Sequence, residues 1–356
     1  MREKEIKVIL LGCLAKRTVE EQVEFNDLVV NEELDWGFIG GALVHHRLSG
    51  YFYYGLGDLR IHLTSEFMKT LSLIVNAQKS ITSKKYEMLN PILADLERDN
   101  VSYACLKGLI YELEIYEVGA RRSNDCDLLV WEENLDKVDV ILRKYGFIQS
   151  VNAGKTEASR KIKLIQRMNY HDLIPYYKEI DNYILQDTLK IDINFHIDSK
   201  NNDITKSVLD YGTRLFQYGN CSVRGLNLIT HFLHLCIHFH REATNTIWIN
   251  KRRDILLYKI IDVVNTFRIM SNEELSECVK KAKDFNVMIQ LYFTLMHINL
   301  FYSGMVSQRI LKEFDGMDKT FMDEIVVEGE HRIIKKDFNY VERAFDLRYN
   351  GTFSKR

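Results

Sequence analysis

A chain of 356 residues with 46% hydrophobic and 28% charged side chains can bury a large core in more than one subdomain, which argues against disorder. Its net charge of −2 supplies no overall field, so nucleic acid is not the favoured partner and no membrane partner is expected. Six scattered cysteines, with no Cys-x-x-Cys pair and several inside apolar runs, fit reduced thiols in a cytoplasmic protein.

The apolar run 6–14 is too short for a membrane span and lacks a small-residue cleavage site, so no anchor or signal peptide is expected there. Only two prolines occur, Pro91 and Pro175, and no Pro/Gly/Ser-rich linker divides the chain. Residues 1–100 read as helix, with apolar positions spaced by three and four over 6–14, 19–28, 34–48, 65–78 and 84–98. The pattern then changes. Short apolar runs at 101–106, 126–131 and 147–151 fit strands, and helices are expected over 109–116 and 134–145, the latter stopped by Gly146. The apolar triplet Tyr183-Ile184-Leu185 precedes a run over 190–197. There Ile191, Ile193, Phe195 and Ile197 alternate with Asp192, Asn194, His196 and Asp198, a half-exposed strand. From about 204 the chain reads as helical again: 204–211, 226–240, 255–267, 272–285 and 288–301. The implied fold class is α+β, a small mixed α/β core at 101–200 between helical regions at 1–100 and 201–356.

One segment concentrates chemistry. Asp125-Cys126-Asp127 opens the strand Leu128-Leu129-Val130, and alternate strand residues point the same way, so both carboxylates share a face. They lie about 6–7 Å apart along the strand, a separation suited to gripping one or two hard cations for phosphoryl chemistry. Asp192, on the other alternating strand, is a candidate third carboxylate, although Asp198 shares its parity and register is open. Gly108 stands where a strand hands over to a helix, so the backbone can approach a ligand closely and helix N–H groups can face phosphate.

Leu106-Lys107-Gly108, followed by Gly119-x-Arg121-x-x-Asn124-Asp125-Cys126-Asp127-Leu128-Leu129-Val130, resembles the signature of a bacterial nucleotidyltransferase family within the DNA-polymerase-β-like superfamily. Ile191-Asp192-Ile193-Asn194-Phe195 fits the same family, and the similarity runs over roughly residues 5–270. The resemblance implies a nucleotidyltransferase core. Asp125, Asp127 and Asp192 would be catalytic and would bind Mg2+ or Mn2+, and Gly108 would let the phosphates of a nucleoside triphosphate co-substrate lie against the backbone. Lys107 or Arg121 is expected to supply cationic help to those phosphates. It further implies transfer of a nucleoside monophosphate to a hydroxyl acceptor, with release of pyrophosphate. The chain departs from the superfamily in having Leu109 rather than serine or glycine after Gly108, and Asn194 where a histidine often follows the third aspartate. The acceptor, the base and the oligomeric state are not legible.

Two other readings stand beside this one. A degenerate member of the fold would bind nucleotide, or act as a toxin–antitoxin or regulatory module, without turnover. Alternatively, His231, His234 and His238, close to one face of a helix, would form a metal hydrolase site with Asp254 or Asp262. Histidines interleaved with leucine and phenylalanine are better explained by a helix packed beside the core. The basic tracts Arg160-Lys161-x-Lys163 and Lys251-Arg252-Arg253 read as solvated faces.

Overall fold

The computed structural model describes residues 2–180, 187–199, 202–327 and 332–347. The chain is α+β and divides into two compact units, one of Met1–Leu71 with Phe232–Arg356 and one of Ser72–His231. The first unit is mostly helical. Its helices Val19–Asn31 and Asn272–Asp284 each begin with a capping box, Thr18/Glu21 and Ser271/Glu274, which satisfies backbone N–H groups that the first turn leaves without partners. Arg268 grips Glu21 through two hydrogen bonds of 2.6 and 2.8 Å, joining positions 247 residues apart in sequence.

The second unit carries a seven-stranded sheet in the order β3-β4-β5-β2-β1-β7-β6. The strands are β1 (Tyr103–Cys105), β2 (Cys126–Val130), β3 (Ile148–Gln149), β4 (Tyr176–Glu179), β5 (Thr188–Asn194), β6 (Thr213–Tyr218) and β7 (Cys221–Leu226). The sheet is mixed: β2 runs parallel to β5 and antiparallel to β1, and β1 runs parallel to β7. The helices used below are α1 (Ser65–Arg98), α2 (Gly108–Glu114), α3 (Leu135–Lys144) and α4 (Arg160–Asn169). Leu89, Ile92, Leu93 and Leu96 of α1 and Val138, Ile141 and Leu142 of α3 join one buried cluster with Cys105, Leu128, Val130, Ile191 and Ile193 of the strands. Each such large side chain contributes roughly 1.5–3 kcal/mol by leaving water.

Several elements differ from the sequence reading. The two helices expected over 65–78 and 84–98 are one helix of 34 residues, because nothing between them breaks the turn and Pro91 is tolerated inside it. The segment after 204 is not wholly helical. The hairpin β6–β7, turning at Gly219 with φ +56, adds two strands to the core sheet. Strand β4 and helix α4 also went unforeseen. Tyr183-Ile184-Leu185 lies outside the described residues. The six cysteines are buried and free. Among the described residues no helix is long and apolar enough to cross a membrane.

Candidate active site

Sheet register decides the site. β2 and β5 pair Cys126 with Ile191, Asp127 with Asp192 and Leu128 with Ile193, so two aspartates far apart in sequence are direct cross-strand neighbours. Along β5 the burial alternates strictly. Leu189, Ile191 and Ile193 point into the core, leaving Lys190, Asp192 and Asn194 on the half-exposed face. Asp125 precedes β2 by one residue and shares the face of Asp127 by the period of two. Asp198, the competing candidate, falls beyond the end of β5, where it accepts a hydrogen bond from Asn202 at 3.1 Å.

Two lysines enter this carboxylate group. Lys190 is hydrogen-bonded to Asp192 and lies 3.9 Å from an Asp125 oxygen. Lys107 Nζ is 3.4 Å from Asp127 Oδ1. The Asp127 and Asp192 side chains are only 12% and 14% exposed. Burial is therefore the largest influence on both. It raises Asp127 above the ordinary carboxylate range, with Lys107 opposing and Asp125 adding to the rise. Burial and then the Asp127 charge push Asp192 up to about 7 against the pull of Lys190. Burial works against the charge on Lys190, yet Asp192 and Asp125 hold it above the usual lysine value. Tyr177 sits opposite Lys190 in the β4–β5 register, and its phenol is raised, first by burial.

Lys107 joins β1 to α2 with φ 45 and ψ −114, a conformation that side chains rarely adopt. Holding it there costs on the order of 1–3 kcal/mol, and such outliers gather at functional sites. The structure gives Gly108 a packing reason as well. A Cβ at Gly108 would lie 2.2 Å from Ser123 Oγ and 2.8 Å from Arg121 Nη1, so the space of the missing side chain is taken by the loop leading to Asp125. Arg121 is buried, its guanidinium 4.9 Å from the Tyr111 ring centre. Ser123 Oγ donates to the Asp125 carbonyl at 3.0 Å. The loop is thus pinned from beneath, and Asp125 with it. Lys190, Tyr177 and Ser123 were missed in the sequence. Parity along β5 could have singled out Lys190, because the spacing of two that selects Asp192 selects it as well.

The histidine tract is arranged differently. His231 is buried against the Tyr111 ring at 5.3 Å, and burial, followed by the Arg214 and Arg121 charges, lowers it to about 3, so the ring is neutral. Asp254 is engaged by Arg343 at 2.7 Å, and Asp262 accepts from the Tyr51 hydroxyl at 2.8 Å. Among the described residues no three His, Cys, Asp or Glu side chains are gathered closely enough to hold a metal ion. That includes Asp125, Asp127 and Asp192 as they stand, with ammonium groups on their carboxylates. The donor set nevertheless fits a hard cation. It consists of oxygen alone, and the charge that the two lysines now neutralise is the charge a dication would neutralise.

Residues 32–303 match the model of a family described as an uncharacterised nucleotidyltransferase. The chain belongs to this family. No curated protein matches it. The matched span includes all of Lys107, Gly108, Arg121, Asp125, Asp127 and Asp192.

Proposed function

We propose that this chain moves a nucleoside monophosphate from a nucleoside triphosphate to a hydroxyl-bearing acceptor, releasing pyrophosphate, with Asp125, Asp127 and Asp192 holding Mg2+ or Mn2+. The observation that carries this reading is the in-register pair Asp127↔Asp192 in a member of a nucleotidyltransferase family. When bound, the cation neutralises triphosphate oxygens and polarises the phosphorus under attack. The rest falls to the chain's own side chains. Asp192 takes the acceptor's proton on a carboxylate oxygen or aligns the acceptor hydroxyl. The acceptor oxygen bonds to the α-phosphorus as the bond to the bridging oxygen breaks, and pyrophosphate departs. Lys107 and Lys190 turn their ammonium groups from carboxylate to phosphate oxygens. Arg121 fixes the loop bearing Asp125 and lends positive charge from behind Gly108.

A second reading, nucleotide binding without turnover, is favoured by one observation: Lys107 and Lys190 already neutralise the carboxylates. Incubation with each labelled triphosphate and Mg2+ in cell extract separates the two. Turnover labels an acceptor and releases pyrophosphate, and D125N and D127N abolish both. If those variants label the acceptor as the parent does, the transferase reading is wrong.

A further inference from the structure

Helix α4 is built inside-out. It spans ten residues, begins with Ser159 accepting a hydrogen bond from the Ile162 N–H, and buries none of its side chains. Its polar side chains hold it to the protein. Lys163 pairs with Glu157, Gln166 donates to Asp172 at 2.8 Å, and Arg167 lies 3.4 Å from Glu132. Its apolar side chains face outward: Ile162 is 41% exposed, Leu164 57%, Ile165 47% and Met168 65%, with Tyr170 just past the helix at 48%. Leu164, Ile165 and Met168 are one, three or four residues apart and form one apolar stripe, which Lys161 prolongs by a turn. An amphipathic helix ordinarily turns such a stripe to the core. Here ion pairs turn it to solvent. Arg160 and Lys161 are exposed on the same helix, which contains no acidic residue.

The occupant of this face follows from charge and size. A second copy would set Arg160 and Lys161 against their own counterparts, with no carboxylate on the helix to answer them. A specific protein interface uses about 20–30 residues a side, and this face offers seven. An anionic lipid surface needs neither self-complementarity nor breadth. Apolar side chains enter the boundary between headgroups and acyl chains individually, while guanidinium and ammonium groups meet lipid phosphates. We propose that α4 is a peripheral membrane-docking element that lays its Leu164, Ile165 and Met168 face on an anionic bilayer. The net charge of −2 hides this local concentration of basic residues. The contact is adhesion rather than a span, and it is independent of the transfer reaction.

The test is sedimentation of the full chain with vesicles of phosphatidylcholine alone and with vesicles of equal phosphatidylcholine and phosphatidylglycerol. The parent is expected to sediment with the anionic vesicles, less as salt rises, and to stay largely in the supernatant with neutral ones. Ile165→Glu and Lys161→Glu should each reduce anionic binding about tenfold or more. Leu215→Glu, at a side chain 59% exposed on β6, should leave it unchanged. All three sites are exposed, and unaltered thermal melts would establish that each variant folds. The proposal is overturned if the parent ignores anionic vesicles, or if Ile165→Glu and Lys161→Glu bind as the parent does. A dimer in sedimentation equilibrium that Ile165→Glu dissolves would also overturn it, because a second copy would then cover the face.

Discussion

Replacing Asp192 with asparagine should stabilise this protein above neutral pH in the presence of a metal chelator, although it removes a candidate catalytic group. The Asp192 carboxyl titrates at about 7 in the folded chain, against 3.8 ordinarily. Below about pH 4 it is protonated in both folded and unfolded chains and contributes nothing. Between these values the unfolded chain ionises while the folded chain keeps its proton, so stability falls as pH rises. Above about pH 7 the penalty is complete, on the order of 4 kcal/mol at about 1.4 kcal/mol for each pH unit. The Asp192→Asn variant would avoid that penalty but deprive Lys190 of its nearest carboxylate, leaving Asp125 at 3.9 Å. A smaller net gain of about 1–2 kcal/mol is expected, because the neutral amide removes a desolvated charge and its repulsion with Asp127, while leaving Lys190 without its nearest partner takes back part of that. Urea denaturation of parent and D192N across about pH 4 to 9 would measure it, the two curves converging at the acid end. A D192N chain less stable than the parent at alkaline pH would refute the reasoning, since Asp192 would then be a stabilising ion-pair partner rather than a strained charge.

Other outcomes follow from the same geometry. D125N and D127N should each lose Mg2+-dependent nucleotide binding, read by calorimetry, while melting as cooperatively as the parent. Lys107→Gly should be more stable than Lys107→Ala by about 1 kcal/mol, because glycine relieves the positive φ at some entropic cost, and both should bind triphosphate more weakly. Gly108→Ala should cost roughly 1–3 kcal/mol in denaturation, because its Cβ would fall on Ser123 and Arg121. His231→Phe should leave Mg2+-dependent nucleotide binding unchanged and cost little stability, because neither ring nitrogen has a hydrogen-bond partner among the described residues. A large loss of nucleotide binding in that variant would restore the histidine tract as a functional site.

The acidic chemistry was legible in the sequence because a strand has a period of two. That period alone puts Asp125 with Asp127, and Asp192 on the polar side of Ile191 and Ile193. The positively charged half of the site was also in that pattern, at Lys190, but a search for ligands passes over ammonium groups. The hairpin β6–β7 escaped because its strands, six residues each, are half-polar. Its place is fixed by pairing with β1, a partner more than a hundred residues earlier.

The sequence by itself determined strands β1, β2, β3 and β5, the inward and outward faces of β2 and β5, and the family signature, all of which are set by neighbours within a few residues. Only the tertiary structure decided that β2 lies beside β5 with Asp127 opposite Asp192, because register belongs to a pair of strands and neither strand encodes it alone. The same holds for Gly108, whose missing side chain makes room for a loop that the fold brings back, and for α4, whose stripe faces outward because Glu157, Asp172 and Glu132 hold its polar side. Hydrophobic periodicity says that a helix has two faces. Which of them meets water depends on what the rest of the chain presents to it.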